Sequence, residues 1–146
     1  MEWIEPKTDW TASDAFDYVA YNRVTGNITF LKAFADSLWV RLTELSLETE
    51  KTNLSLIYAR HMNAIEQGLE RLNTETYSID IGDTKTYKPN GRVPDYEEYN
   101  RIESACLMLY NELTVHKANL QRLAFTLGNQ KGIRVLHGRF KDKLQG

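Results

Sequence analysis

The chain has 146 residues, a net charge of -2, 42% hydrophobic and 26% charged residues. It carries no basic excess for nucleic acid or an anionic membrane surface, and no run of about 18 apolar residues that would span a bilayer. Its one cysteine, Cys106, excludes an internal disulfide and fits a reducing compartment.

This length predicts a single domain, 1–146, large enough to bury a core without covalent staples. The start of the chain, with Glu2 and Glu5 among few apolar residues, lacks the basic and apolar regions of a secretory signal. Residues 1–11 form an arm holding Trp3, Ile4, Pro6 and Trp10. Two tryptophans in a polar arm need cover, from the helices or from a neighbouring subunit.

Thr11-Ala12-Ser13-Asp14 is a capping-box-like start, and Asp17 can cap the main run of the first helix. Tyr21, Val24, Ile28, Leu31, Ala35, Leu38, Leu42 and Leu45 step by threes and fours, the heptad seam of a long helix in a left-handed bundle. Helix A is therefore expected over 12–45. Gly26 inside it suggests a close helix approach, and Phe30, Phe34 and Trp39 lie off the seam. With Trp3 and Trp10 they are candidate interface residues.

A polar connection leads to helix B, expected over 54–74, with a seam of Tyr58, Met62, Ile65, Leu69 and Leu72. Residues 76–93 alternate polar and apolar and contain Gly82-Asp83 and Pro89-Asn90-Gly91, which reads as a small β-hairpin or an ordered loop. Helix C is expected over 95–128, capped by Asp95. Its seam runs Tyr99, Ile102, Cys106, Leu109, Leu113, His116, Leu120, Leu123, Leu127, and Gly128-Asn129 stops it. The tail, 129–146, holds a short β-like segment around Ile133–Leu136. The fold class is mainly α: three long helices with heptad seams, a hairpin or loop insertion and a β-like end.

One motif opens each helix. Asp17-Tyr18-Val19-Ala20-Tyr21-Asn22-Arg23-Val24 aligns with Asp95-Tyr96-Glu97-Glu98-Tyr99-Asn100-Arg101-Ile102, which Glu103 follows. A fainter copy is Met62-Asn63-Ala64-Ile65-Glu66. Each reads apolar-Asn-x-(Ile/Val), with Leu31, Leu72 or Leu109 seven residues later. Asparagine is a middling helix former, so three at one phase imply a recurrent partner for the amide, such as a backbone group near a neighbouring helix start. Arg23 and Arg101 are expected to bridge to carboxylates such as Asp17, Asp95 or Glu66.

Catalytic patterns are missing from the sequence. His61, His116 and His137 have no ligand spacing with one another or with Cys106. Cys106 and His116 stand ten residues apart on one helix, roughly 15 Å. There is no phosphate loop and no nucleophile elbow. The expectation is no enzyme, no cofactor and no metal.

Trp10-Thr11-Ala12-Ser13-Asp14-Ala15-Phe16, then Tyr21-Asn22-Arg23-Val24 and Asn27-Ile28, resembles the start of small structural proteins of tailed phages and prophages of Gram-positive bacteria. His61-Met62-Asn63-Ala64-Ile65-Glu66-Gln67-Gly68-Leu69 is similar to an element of tail-fibre and baseplate-associated proteins, and Tyr99-Asn100-Arg101-Ile102-Glu103 repeats the idiom. The first copy departs from it, with Val24 in place of Ile and no Glu after it, and the chain lacks the glycine-rich β repeats of a full fibre. The resemblance implies a virion protein, assembled in the host cytoplasm. It would be a helical docking module of a tail, baseplate or phage-derived contractile particle, linking fibre or receptor-binding components. Its implied partners are other tail proteins and further copies of itself, with three-fold or six-fold symmetry. The alternatives are a soluble intracellular adaptor or regulator with one protein partner and, against the missing chemistry, a small wall-acting lysis enzyme.

Overall fold

The computed structural model of the protein describes residues 2–39, 42–48 and 50–129. They form three helices: α1 Tyr18–Asp36, α2 Ala59–Glu75 and α3 Tyr96–Asn129. The chain divides into two compact units, residues 1–113 and 114–146. The first holds α1, α2 and the N-terminal part of α3 around one apolar core. In the second, the described residues are the C-terminal part of α3.

The three helices start in the same register relative to the repeated motif. Asp17, Tyr58 and Asp95 each stand five residues before the motif asparagine, and each sits immediately before the first helical residue. Asp17 accepts from the Ala20 N–H at 3.0 Å. Asp95 accepts from the Glu97 and Glu98 N–H groups at 3.1 and 3.2 Å. Tyr58 has no carboxylate, and α2 is started from the other side: the His61 ring Nδ1 accepts the Tyr58 N–H at 2.8 Å. His61 thus does the work of the glutamate in a capping box.

The core follows the repeat. Val24, Ile65 and Ile102 are equivalent positions, as are Ile28, Leu69 and Cys106, and Leu31, Leu72 and Leu109. All nine are buried within one cluster. Burying a side chain of this size removes about 1.5–3 kcal/mol of unfavourable hydration, so these three levels supply much of the drive to fold.

Three expectations are corrected, and one left open between two alternatives is resolved. Helix A does not extend over 12–45. Residues 11–14 form a separate turn, with the Asp14 N–H on the Thr11 carbonyl and the Asp14 carboxylate on the Thr11 N–H. α1 then ends at Asp36, where Ser37 N–H and Oγ both fold back onto the last turn. Leu42 is still buried, and Leu38 and Leu45 still pack on the core, but from a non-helical segment. Glu75 holds that segment by accepting from the Thr43 N–H and hydroxyl. Heptad spacing records which residues need cover, and a loop laid along the helices satisfies it as well as a helix does.

α2 begins at Ala59, five residues later than expected, because 52–55 form a turn closed by Ser55 and leave Leu54 exposed. The 76–93 segment contains no strand among the described residues. It is the ordered-loop alternative: Ile81 and Tyr87 point into the core while their neighbours face out, and the helices take the place of a partner strand. The close approach expected at Gly26 is not found there, and Gly68 meets its neighbours only at ordinary contact distance. A Cβ on Gly68 would lie 3.8 Å from Ile28 Cγ2 and 3.9 Å from Leu45 and Leu47, whereas one on Gly26 would meet nothing within 4 Å. The β-like segment around Ile133–Leu136 lies outside the described residues, as does His137.

Candidate functional site, a cyclic asparagine clamp

Each motif asparagine holds one residue of the segment that leads into the next helix. Asn22 of α1 donates Nδ2 to the Lys51 carbonyl at 2.8 Å and accepts the Lys51 N–H at 2.7 Å. Asn63 of α2 does the same to Tyr87, at 2.8 and 2.7 Å. Asn100 of α3 does the same to Trp10, at 3.0 and 2.7 Å. Lys51 precedes α2, Tyr87 precedes α3 and Trp10 precedes α1. The three clamps therefore close a cycle: α1 holds the entry to α2, α2 the entry to α3, and α3 the entry to α1.

The chemistry suits the residue. A carboxamide is the only short side chain that offers a donor and an acceptor side by side. It matches the N–H and C=O of one residue in an extended segment, as a neighbouring strand would. Asn27 and Asn73 repeat the device off the motif phase, gripping Ile4 at 2.9 and 2.7 Å and Ile79 at 3.0 and 2.7 Å. Neither was singled out by the repeat. The available signal was their burial-prone position on an apolar helix face, which is weak for a single asparagine.

Ion pairs follow the same cycle. Arg23 makes a two-pronged contact with Glu103, Nε to Oε2 at 3.0 Å and Nη2 to Oε1 at 2.5 Å. Glu103 is buried and also accepts from the Trp10 indole N–H at 3.1 Å and the Lys7 N–H at 2.8 Å. Arg101 bonds Glu66, which also receives the Tyr87 hydroxyl at 3.3 Å. In each case the arginine follows the motif asparagine, and the glutamate lies three residues after the asparagine of the previous helix in the cycle. Arg23 does not reach Asp17; its partner sits on another helix. The held residue, Trp10 or Tyr87, donates to the glutamate of the helix that clamps it.

The third pair is missing at both ends. The arginine position of α2 is Ala64, and the glutamate position of α1 is Thr25, buried and bonded to the Tyr21 carbonyl at 3.0 Å. A polar knot outside the motif occupies this third junction. The Tyr21 hydroxyl donates to the Glu48 carbonyl. The Glu48 carboxylate accepts from Lys51 at 3.0 Å, Arg60 at 3.2 Å and His61 Nε2 at 3.1 Å. His61 Nδ1 is engaged as an acceptor, so Nε2 carries the proton. The 3.0 Å approach of Lys51 Nζ to that Nε2 is then two donors sharing one carboxylate, not a bond between them.

The electrostatics agree with these roles. Lys51, Arg60 and His61 hold the Glu48 carboxyl down to about 2. Burial pushes Glu66 above the usual carboxylate range, and Arg101 pulls it back only in part. Burial raises the Tyr21 and Tyr99 hydroxyls to about 12, with nearby carboxylates adding to the shift. Burial also drives the Cys106 thiol up, which makes it a packing residue and not a nucleophile.

The five candidate interface aromatics are drawn into the protein's own fold. Trp10 is buried. Trp3 stacks on Tyr110 with ring centroids 4.1 Å apart, Phe30 and Phe34 pack beside the same Tyr110, and Trp39 meets Tyr77 edge-on at 5.2 Å. The arm thus folds back on the helices, the first of the two ways to cover its tryptophans. A cavity of about 600 Å³ opens where the segments entering the helices meet, lined by Phe16, Tyr58, Met62, Tyr87, Arg92 and Tyr99. Among the described residues no group of three His, Cys, Asp or Glu side chains could hold a metal ion, and no helix is long and apolar enough to cross a membrane.

No family model, curated protein or solved structure matches this chain.

Proposed function

We propose that the protein is a structural docking module of a phage tail, baseplate or phage-derived contractile particle, built as a three-helix bundle that attaches or spaces other components. The resemblance of its three helix-opening motifs to those of small tail proteins gives the setting. One observation carries the structural role: among the described residues, each buried polar side chain of the first unit makes at least one bond within the chain, although Glu66 Oε2 and Arg101 Nε and Nη1 are left without a hydrogen-bond partner. Thr25, Asn27, Lys32, His61, Glu66, Asn73, Glu98 and Glu103 each bond a backbone group or a side chain of the protein itself. Such groups spend their bonding capacity on rigidity, which suits a part that carries load and keeps a fixed spacing.

In this reading the chain works among other tail proteins and copies of itself, located in the virion, without a cofactor and without turnover. The test is to tag the chain in the genome that encodes it and to separate the lysate on a density gradient. Co-sedimentation with tails or intact particles is expected. Recovery only in the particle-free fraction, alone or with one host protein, would replace this reading with the adaptor.

A further inference from the structure

The three junctions are built alike, so what fills one can be set against what fills the next. After each clamped residue the chain makes the same turn: the Asp14, Ser55 and Gly91 N–H groups bond the Thr11, Thr52 and Lys88 carbonyls at 3.0, 2.9 and 2.9 Å. A half-buried residue then comes six positions before the motif asparagine: Phe16, Ile57 or Pro94. The clamping helix adds the residue just before its own asparagine: Tyr99, Tyr21 or Met62. Where α3 meets the entry to α1, rings occupy these places. Phe16 stacks on Tyr99 with centroids 4.2 Å apart, and Trp10 closes on them at 5.7 and 5.3 Å. Where α1 meets the entry to α2, Tyr21 packs against His61 at 5.8 Å, and Lys51 Nζ lies 5.8 Å from the Tyr21 ring centroid. Where α2 meets the entry to α3, the same places hold Met62 and Pro94, and both line the cavity of about 600 Å³. Neither can repeat the Phe16–Tyr99 stack, and the space is left open.

We infer that this cavity is a socket for an aromatic side chain of a partner polypeptide, with a carboxylate beside the ring. The ring is argued from the fold itself, which fills the equivalent space at the α3 junction with one. Phe16, Tyr87 and Tyr99 also line the cavity and offer a ring the tilted and stacked contacts that aromatics prefer. The polypeptide is argued from how the filled junctions receive their side chains, on an extended segment and turn laid across a helix start. The carboxylate is argued from charge. Arg60, Lys88 and Arg92 line the cavity and no acidic residue does. Arg60 is paired with Glu48 at 3.2 Å, and Arg92 reaches Glu98 and Asp95 at 3.2 and 3.4 Å. Lys88 is exposed and pairs with no carboxylate among the described residues. Such a wall draws an acidic segment and repels a basic one. This names the partner chemistry of the docking module and rests on the docking part of the proposed function. Attachment to a particle is read by the gradient and the socket by the titration below, so either can fail alone.

The experiment is a titration of the isotope-labelled full chain with the blocked peptide acetyl-Gly-Asp-Phe-Asp-Gly-amide, followed by amide chemical shifts up to millimolar peptide. Saturating shifts at Met62, Tyr87, Lys88 and Arg92 are expected. They should vanish in Pro94→Phe, which supplies the ring that Phe16 brings to the α3 junction. Lys88→Glu should weaken binding about fivefold, the range of an exposed ion pair. Lys88 is exposed, so this second variant keeps the test sharp if Pro94→Phe does not fold. The peptides with Lys in place of Asp, or Ala in place of Phe, should not bind. No saturation, equal binding of either control peptide, or unchanged affinity in Lys88→Glu would each overturn the inference. Phenylacetate binding as tightly as the peptide would assign the cavity to a free small molecule and overturn the polypeptide as its occupant.

Discussion

Arg23 and Glu103, 80 residues apart in sequence, lock together through two hydrogen bonds, and the equivalent positions at the α1–α2 junction hold Ala64 and Thr25. Both members of the third pair are absent together. A lone glutamate at the buried position 25, or a lone arginine at 64, would leave a charge without a partner, so the two positions constrain each other.

That constraint can be measured. Thr25→Glu alone should destabilise the protein by about 3–5 kcal/mol, the usual cost of an unpaired buried charge. Adding Ala64→Arg should recover about 2 kcal/mol of it as a coupling term. Urea melts of the parent, both single variants and the double give the cycle. Strict additivity would show that the junctions are not equivalent.

The clamps should matter more than their exposure suggests. Asn22→Ala, Asn63→Ala or Asn100→Ala each leaves one backbone N–H and one carbonyl unmatched. A loss of about 2–4 kcal/mol is expected for each, since an orphaned polar group costs about 1–3 kcal/mol. Asn63→Asp keeps the acceptor for the Tyr87 N–H but points a second oxygen at its carbonyl, and should recover little. Amide hydrogen exchange checks the mechanism: the Lys51, Tyr87 and Trp10 amides should lose protection only in the variant of their own clamp.

Acid should act through Glu48. Its folded carboxyl titrates near 2 against an ordinary 4.5. A depressed folded value stabilises the protein fully above about pH 4.5, and that contribution fades as the pH falls toward 2. Melting temperatures of the parent and Glu48→Gln should therefore differ most near neutral pH and converge between pH 4.5 and 2. The carboxylate faces solvent, so added salt should shrink the difference at every pH. Parallel melting curves across that range would rule out the proposed role.

Two glycines should respond in opposite directions. Gly26 lies within α1, where an added methyl group would touch nothing, so Gly26→Ala should stabilise by about 0.5–1 kcal/mol. Gly82 has φ +81° and a Cβ there would sit 2.7 Å from Arg101 Cδ, whose guanidinium is tied to Glu66. Gly82→Ala should cost about 1–3 kcal/mol, from left-handed backbone strain and displacement of that arginine. Thermal melts of the two variants decide both.

The sequence by itself determined the number of helices, the Asp17 and Asp95 caps that start two of them, and the phase of the three asparagines. Those features are local: a cap acts within one turn, and an apolar face recurs with the helical period. Only the tertiary structure decided what the asparagines hold, that Arg23 reaches Glu103 instead of Asp17, and that α1 stops at Asp36 while Leu42 stays buried. The amides bind backbone N–H and C=O groups, which every residue but proline carries, so Lys51, Tyr87 and Trp10 bear no mark of being held. A leucine requires cover whether the chain supplying it is helix or loop, and spacing alone cannot distinguish the two.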